Sequence, residues 1–231
     1  AHHLQIYRAR ERADAAVKRK AFPWIKPQGP VAPGLKIGLL GGSFNPAHAG
    51  HIHISEVALK RLGLDYVWWL VAPQNPLKPM QGMAPLTRRL EFAVGETKNH
   101  PRIVVMDIEH ALGTRYTIDT LAKLKRRFRE VHFVWLMGSD NLDQFRRWKR
   151  WQDIVRAVPI AVVTRPGSIM AMLHATPAIR FRHGRTRDYR GLAAAKPPAI
   201  VVLDGPRNPL SSTAIREDCA KSEIFVNLLP A

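Results

Sequence analysis

The sequence predicts an α/β fold, a doubly wound parallel sheet with helices on both of its faces. Short apolar runs alternate along the chain with amphipathic stretches. The runs are apolar throughout, which is typical of strands that helices cover on both sides. The stretches between them repeat their apolar residues at helical spacing. Ligands of such sheets bind beyond the carboxyl ends of the strands, so functional residues are expected in the loops that follow the strands.

Six apolar runs are predicted to be the strands. They are Ile37–Leu40, Tyr66–Val71, Arg102–Met106, Val131–Leu136, Ile160–Val163 and Ala199–Leu203. Helices are predicted after His51, over Leu86–Lys98 and over Thr117–Phe128. The first of these helices places its apolar residues at positions i, i+3, i+4 and i+8, which form one face.

The composition is that of a globular chain with a large excess of positive charge. The protein has 231 residues, of which 46% are hydrophobic and 23% are charged, and its formal net charge is +18. These values exclude an intrinsically disordered chain and favour anionic partners such as nucleotides, nucleic acid or acidic membranes. The apolar runs are far shorter than the roughly 20 residues of a membrane helix, so no membrane partner is expected. One cysteine, Cys219, permits no internal disulfide, and we expect a cytoplasmic protein.

Two basic segments stand apart from the alternating pattern. Residues 1–34 hold seven basic and two acidic residues and end in a proline-rich stretch, which we interpret as an N-terminal extension. Residues 35–231 are predicted to form the α/β domain. Five arginines crowd residues 175–198, which are predicted to be an insertion in that domain. The extension is a solvated segment or a contact to nucleic acid or another subunit, and the insertion is a solvated loop or a phosphate or partner contact.

A glycine-rich loop follows the first predicted strand and runs into a helix. It reads Gly41-Gly42-Ser43-Phe44-Asn45-Pro46-Ala47-His48-Ala49-Gly50-His51. Glycines let backbone N–H groups approach an anion closely, and a helix N-terminus adds unpaired N–H donors and a positive dipole end. The loop therefore favours phosphate binding, although it has neither GxGxxG nor Walker A spacing. The spacing of His48 and His51 places both imidazoles near one face of the helix at its entrance. They could serve as donors to phosphate, as metal ligands or as a structural pair. No third metal ligand is evident.

Two motifs carry a resemblance to a known family. The glycine-rich loop resembles the GxFxPxHxGH signature of the nucleotidyltransferases that transfer an adenylyl group, relatives of the class I aminoacyl-tRNA synthetase core. The segment 210–216, Leu-Ser-Ser-Thr-Ala-Ile-Arg, is similar to the I-S-S-T-x-I-R segment of that family. Segments 73–79, 115–121, 138–142 and 164–167 look most like those of bacterial nicotinate-nucleotide adenylyltransferases. The resemblance covers roughly residues 36–230 and implies a Rossmann-like fold; at position 45 many members carry Asp where this chain has Asn45.

The resemblance implies an enzyme of NAD biosynthesis that joins ATP and nicotinate mononucleotide into deamido-NAD and releases pyrophosphate. The phosphate of the mononucleotide is the nucleophile, so the protein needs no general base. It has to align two polyanions and neutralise the charge that grows on the phosphates. Mg²⁺ is expected with ATP, held by phosphate oxygens and water and by no protein side chain.

The resemblance also implies roles for individual residues. His51 and His48 are expected to donate to the α-phosphate and to the β- and γ-phosphates, and with Arg216 they are the expected catalytic residues. The residues expected to bind ATP are Gly41, Gly42, Ser43, Phe44, His51, Gly138, Asp140, Ser212, Thr213 and Arg216. The residues expected to bind nicotinate mononucleotide are Asn45, Lys78, Tyr116, Thr117 and Trp148.

Several of these residues also have a structural alternative. Trp148 stacks on the pyridine ring or packs in the core. Asp140 accepts from a ribose hydroxyl or caps the next helix, and Lys78 binds a substrate phosphate or is a solvated charge. Thr117 is predicted to be an N-cap, and N–H groups of the Tyr116–Thr117 turn then face the nicotinate carboxylate, so the acid is expected to be preferred over the amide.

Other functions compete with this interpretation. A sister enzyme such as pantetheine-phosphate adenylyltransferase would share the phosphate-binding motifs, and Trp148 with the Tyr116–Thr117 turn argues against it. A basic nucleic-acid-binding protein would explain the charge, but no signature motif of that class is present. A nucleotide sensor without catalysis would share every phosphate contact. A homo-oligomer is compatible with the sequence, which does not determine the oligomeric state.

Overall fold

A sheet of six parallel strands forms the centre of the described part of the protein. The computed structural model describes residues 30–73, 83–164 and 182–204. The strands are β1 (Lys36–Gly42), β2 (Tyr66–Val71), β3 (Ile103–Met106), β4 (His132–Gly138), β5 (Ile160–Val163) and β6 (Ile200–Leu203). The predicted strands are confirmed, with ends that differ by at most two residues.

Helices connect these strands. Within the described ranges they are α1 (Ala49–Leu62), α2 (Leu86–Thr97), α3 (Ile108–Leu112), α4 (Thr117–Arg127), α5 (Leu142–Phe145) and α6 (Trp151–Ala157). The three predicted helices are confirmed as α1, α2 and α4. The short helices α3, α5 and α6 were not predicted, because four to seven residues carry too little periodicity. None of the helices described here has the length and apolarity that a bilayer crossing requires.

The order of the strands locates the region where a ligand is expected. Across the sheet the order is β3-β2-β1-β4-β5-β6, and every neighbouring pair is parallel. The chain winds outward from β1 to β3, returns to place β4 beside β1, and then winds outward on the other side. The direction of winding therefore reverses between β1 and β4, and ligands of doubly wound sheets bind at this point, beyond the carboxyl ends of the strands.

Two buried clusters cover the two faces of the sheet, as predicted from strands that are apolar throughout. Along β2, Val67, Trp69 and Val71 join the cluster that α1 and α2 cover. Trp68 and Leu70 point the other way, into the cluster that α3 to α6 cover. Successive side chains of a strand alternate between faces, so a strand buried on both sides needs an unbroken apolar run.

The two segments that the sequence sets apart lie only partly within the described residues. Residues 30–34 contact the domain: Val31 packs against the cluster on the α4 face, and the N–H of Gly34 donates to the carbonyl of Glu130 at 2.8 Å. Within 182–198, Leu192 and Ala193 belong to the cluster on the α1 face. Residues 1–29 and 175–181 lie outside the described residues, so the division into an extension, a domain and an insertion stays a prediction.

Gly41 has a packing role that the sequence analysis did not consider. It lies in β1, and a Cβ atom at this position would stand 2.6 Å from Cη2 of Trp135 in β4. The indole of Trp135 is buried, with 1% of the residue exposed, so it cannot move aside easily. The absence of a side chain at position 41 therefore lets a large ring fill the space over β1.

We expect Gly41→Ala to lower the free energy of unfolding by about 1–3 kcal/mol, because the added methyl group overpacks the site against Trp135. Gly95→Ala is the matched control: Gly95 is exposed near the end of α2, and a Cβ there meets nothing within 4 Å. In a helix this change is expected to raise stability by about 0.5–1 kcal/mol. Urea unfolding of both variants measures the two effects, and equal effects of the two substitutions would contradict the packing role.

Candidate active site

The loop from β1 to α1 lies at the reversal of the sheet and is largely buried. Ser43, Phe44 and His48 expose 7%, 1% and 5% of their surface. At the carboxyl end of the neighbouring strand β4, Gly138 leads into a 3-10 turn over Ser139–Asn141. The loops that follow β1 and β4 are therefore at the edge where ligands of such folds bind.

His48 is the N-cap of α1 and uses its ring to satisfy helix donors. Its Nδ1 accepts a hydrogen bond from the N–H of Gly50 at 3.0 Å, and its own N–H donates to Nδ1 of His51 at 3.3 Å. The side chains of the two histidines together form a capping box, in which imidazole nitrogens stand where hydroxyl and carboxylate oxygens are usual. The structural role considered for this histidine pair is thus observed.

The capping bonds also determine which nitrogen of each neutral imidazole ring carries the proton. Nδ1 of both rings accepts a hydrogen bond, so in the neutral form each ring holds its proton on Nε2. An Nε2–H group is a donor, the kind of group that a phosphate oxygen binds. The two ring centroids are 4.0 Å apart. Capping therefore uses Nδ1 of each ring, whereas the predicted phosphate binding would use Nε2.

Phe44 supports the loop from within the core. Its φ of 47° lies in the left-handed region, which costs energy for a residue with a bulky side chain. The ring stacks on Trp69 with centroids 4.9 Å apart and lies 4.7 Å from the ring of His51. Trp69 in turn donates to Ser55 Oγ at 2.8 Å, and the Ser55 hydroxyl donates to the carbonyl of His51 at 2.8 Å. Side chains of β2 and α1 thus hold the loop in a strained shape.

The structure gives Asn45 a role in fixing the loop and excludes the capping alternative for Asp140. Oδ1 of Asn45 accepts from the N–H of Ala84 at 3.2 Å, so this oxygen connects the loop to the chain that enters α2. Asp140 is exposed within the 3-10 turn. The N-cap of that turn is Gly138 and the N-cap of α5 is Asn141, so the capping alternative for Asp140 is not observed.

Tyr116, not Thr117, is the N-cap of α4. Thr117 is the first residue of the helix, so the predicted cap is wrong by one position. An open cavity of about 440 Å³ lies beside this turn, and Arg115, Tyr116 and Lys123 contribute to its lining. The ammonium of Lys149 stands 4.1 Å from the centroid of the Tyr116 ring, a cation–π contact that sequence reasoning missed. Arg115, Lys123 and Lys149 thus bring positive charge to the start of α4, where Asp119 in the first turn adds one negative charge.

Trp148 fits both roles considered for it. Its ring makes edge-to-face contacts with Trp135 at 5.9 Å and with Phe145 at 5.3 Å between centroids. The residue is nevertheless only partly buried. The core thus fixes one part of the indole while another part reaches the surface.

A buried carboxyl group lies under the turn that leads to Tyr116. Glu109 in α3 exposes 7% of its surface, and its Oε1 lies 3.1 Å from the hydroxyl oxygen of Thr120. That hydroxyl also lies 2.8 Å from Oγ1 of Thr114, whose N–H donates to the carbonyl of Glu109 at 2.9 Å. Glu109 is a second residue that sequence reasoning missed, since a single Glu between short elements reads as a surface charge. The cluster links α3 and α4 across the turn.

Four of the predicted site residues fall outside the described residues. They are Lys78, Ser212, Thr213 and Arg216. Their proposed roles continue to rest on the resemblance of their segments to the family motifs.

A glycine-rich turn that enters a capped helix at the reversal of a doubly wound sheet defines a Rossmann-like nucleotide-binding protein. The family model described as cytidylyltransferase-like matches residues 39–218. A probable nicotinate-nucleotide adenylyltransferase of Parvibaculum lavamentivorans is 54% identical over 81% of this chain and 94% of its own. One from Cereibacter sphaeroides is 56% identical over 78% of this chain and 96% of its own. The chain belongs to the nicotinate-nucleotide adenylyltransferases of the cytidylyltransferase-like family.

A comparison with solved structures confirms the fold. Nicotinic acid mononucleotide adenylyltransferase of Plasmodium falciparum, solved in complex with NaAD, superposes with a TM-score of 0.61. The match covers 79% of this chain and 83% of that chain at 16% identity. The Rossmann-like doubly wound sheet predicted from the sequence is therefore the fold of this chain.

Because Glu109 is buried, we expect the free energy of unfolding of the protein to depend on the protonation of its carboxyl group. Burial raises the pKa of Glu109 from 4.5 to about 7. Because the pKa is higher in the folded state than in the unfolded state, the stability that the protonated group contributes is complete below about pH 4.5 and is lost as the pH rises through 7. This rise in the pKa of Glu109 corresponds to a loss of about 3 kcal/mol in the free energy of unfolding across that pH range. Glu109→Gln, which does not titrate, is expected to lack this loss.

Urea unfolding at about pH 5 and about pH 8 measures the free energy of unfolding. We expect this free energy to be lower at the higher pH in the wild type and to lack that decrease in Glu109→Gln. Glu96→Gln, an exposed position in α2, is the control and is expected to follow the wild type. Parallel pH profiles for the wild type and Glu109→Gln would show that the carboxyl group does not titrate in this range.

Proposed function

We propose that this protein transfers the adenylyl group of ATP to nicotinate mononucleotide, which yields deamido-NAD and pyrophosphate and supplies NAD biosynthesis. The observation that carries the proposal is the pair of imidazoles at the N-terminus of α1, at the reversal of the sheet. Two relatives share about half of their residues with this chain over nearly their whole length. They are named nicotinate-nucleotide adenylyltransferases, which supports ATP and nicotinate mononucleotide as the substrates. The enzyme is thus a nucleotidyltransferase, and the β1–α1 loop is its proposed phosphate-binding loop.

The proposed chemistry requires positioning and charge neutralisation. The phosphate of the mononucleotide attacks the α-phosphorus of ATP, the bond to the bridging oxygen breaks, and pyrophosphate leaves with the electron pair. We place Nε2–H of His51 at the α-phosphate and Nε2–H of His48 at the β- and γ-phosphates. Donors that are already oriented stabilise the charge of the transition state without reorganisation, which is the largest contribution available to such a site. Gly42 and Ser43 bring backbone N–H groups to the same phosphates.

A divalent cation fits this site as a companion of ATP. The groups described at the loop are N–H donors and imidazoles, which suit phosphate oxygens better than Mg²⁺. No group of three or more acidic, histidine or cysteine side chains that could hold a metal occurs among the described residues. We infer that Mg²⁺ arrives on the phosphates and that it neutralises their charge. The residues of the chain then hold the phosphates, and no side chain of the described part is assigned to the metal.

The second substrate is proposed to bind between Trp148 and the start of α4. The partly buried indole of Trp148 offers a face to the pyridine ring. Backbone N–H groups at Tyr116 and Thr117, at the positive end of the α4 dipole, would receive the carboxylate. Lys149, beside the Tyr116 ring, adds positive charge at the same place. Asn45 and Lys78 are proposed to complete this subsite, and Gly138, Asp140, Ser212, Thr213 and Arg216 to complete the ATP site with Gly41 and Phe44.

His51→Ala is expected to lower kcat by about 10²- to 10³-fold, because it removes one donor to the transition state. The matched control is His132→Ala, since His132 is exposed at the amino end of β4, at the opposite edge of the sheet. Steady-state pyrophosphate release at saturating substrate measures kcat, and circular dichroism verifies the fold. Turnover of His51→Ala at the wild-type rate would exclude a catalytic role for that imidazole.

The specificity constant is expected to be higher for nicotinate mononucleotide than for its amide, because only the acid brings a negative charge to the start of α4. Pyrophosphate release from ATP is measured with nicotinate mononucleotide, the amide and phosphopantetheine in turn. Equal constants for acid and amide would exclude the proposed carboxylate subsite. Turnover with phosphopantetheine alone would replace the proposed function by that of the sister enzyme.

A further inference from the structure

We propose that Arg89 is a positioning residue for adenylyl transfer: its buried guanidinium holds the backbone of the β1–α1 loop in the shape that presents N–H donors to the phosphates. The inference rests on the proposed function and adds to it a residue that touches no substrate. Arg89 lies on α2, outside both family motifs, and 1% of its surface is exposed.

The guanidinium joins three separate stretches of backbone. Its Nη1 donates to the carbonyls of Ser43 and Ala72, each at 2.7 Å. Its Nη2 donates to the carbonyl of Pro73 at 2.9 Å, and its Nε donates to the carbonyl of Ala84 at 2.9 Å. These carbonyls belong to the β1–α1 loop, to the two residues that follow β2, and to Ala84, which precedes the N-cap of α2. A planar fork with five N–H donors is the side chain that can serve such a set at once.

The choice of partners is unusual for a buried cation. A buried charge is normally paired with an opposite charge, since its transfer out of water is costly. All four hydrogen bonds found for Arg89 within the described residues go to backbone carbonyls, and none of the ion pairs found there includes it. Burial accordingly lowers the pKa of Arg89 from its ordinary value. The four backbone carbonyls that the Arg89 guanidinium holds explain why a cation is buried at this position.

The bond to Ser43 orients a particular peptide group. The carbonyl of Ser43 and the N–H of Phe44 belong to one trans peptide plane and point in opposite directions. When Arg89 holds the carbonyl, the N–H of Phe44 is directed away from α2. Within the described part of the chain this N–H donates to no backbone acceptor. A carbonyl that accepts from a cation also polarises its peptide group, which strengthens the N–H as a donor.

A second link fixes the same loop to the same residue. Ala84 accepts from Arg89 through its carbonyl and donates through its N–H to Oδ1 of Asn45 at 3.2 Å. The loop after β1 is therefore tied on both sides of Phe44 to the chain that enters α2. Arg89 thus orients the loop through the backbone, and the loop makes the contacts to phosphate.

Arg89→Lys tests the role, because lysine keeps the charge but cannot serve four carbonyls in one plane. We expect kcat to fall about 10- to 100-fold, as a small misplacement of the loop costs up to about 10² in rate. The KM for nicotinate mononucleotide is expected to change less than about threefold. The matched control is Arg88→Lys: Arg88 is the preceding residue of α2, half exposed, and pairs with Glu91. It is expected to leave both constants unchanged.

Two further readouts separate positioning from a general loss of structure. Circular dichroism and thermal unfolding establish the folded fraction, to which kcat is normalised. NMR of the Phe44 amide follows the loop directly: ATP is expected to shift this resonance in the wild type and in Arg88→Lys, and to shift it much less in Arg89→Lys. Purely structural damage would not single out one amide.

The outcomes distinguish the proposal from the proposed function. A folded Arg89→Lys enzyme with wild-type kcat, or with an unchanged ATP shift at Phe44, overturns the positioning role. So does an Arg89→Lys chain that does not fold, since Arg89 would then serve the whole fold. A wild type that fails to turn over ATP and nicotinate mononucleotide, while ATP still shifts Phe44 in the wild type and not in Arg89→Lys, overturns the proposed function and leaves the positioning of the loop supported.

Discussion

The β1–α1 loop has to satisfy its buried backbone groups and still leave donors for a ligand, and the rest of the site follows from this constraint. Buried backbone groups are almost always paired. His48 pairs the helix N–H of Gly50 with an imidazole nitrogen, and Arg89 pairs the carbonyl of Ser43. The protein thus pairs the Ser43 carbonyl itself, and the positioning role proposed for Arg89 reserves the N–H of Phe44 for a ligand. The electrostatic character of the site is built from backbone dipoles in fixed orientations.

This arrangement suits a reaction that needs no general base. Two polyanions repel each other, so the protein contributes most by holding them in line and by neutralising charge. The excess of positive charge in the chain acts over longer distances, whereas the imidazoles, the start of α4 and Lys149 are the groups proposed to act at contact. Phe44 supports the ring of His51 from beneath the loop, and Trp148 is held by its contact with Trp135.

Periodicity predicted the strands of the sheet and its two covered faces, because these depend on local patterns. Tyr66–Val71 was predicted to the residue as β2, since this short run of aromatic and β-branched residues favours a buried strand over a helix. Arg89 and Glu109 could not be predicted, because burial of a charge depends on contacts from elements far apart in the sequence. Gly41 was assigned to phosphate approach, but its contact with Trp135 depends on the neighbouring strand β4. The cap of α4 moved by one residue, which is the usual precision of a helix boundary.

The residue at position 45 shows how the loop keeps its positive character. Many members of the family carry Asp there, and an Asp oxygen accepts a hydrogen bond as an Asn oxygen does. Asn45 makes the link to the N–H of Ala84 through Oδ1 and adds no negative charge beside the phosphate path. A carboxylate at this point would repel a triphosphate unless a cation intervened. The amide therefore preserves the connection to α2 and adds no negative charge that the proposed metal would have to neutralise.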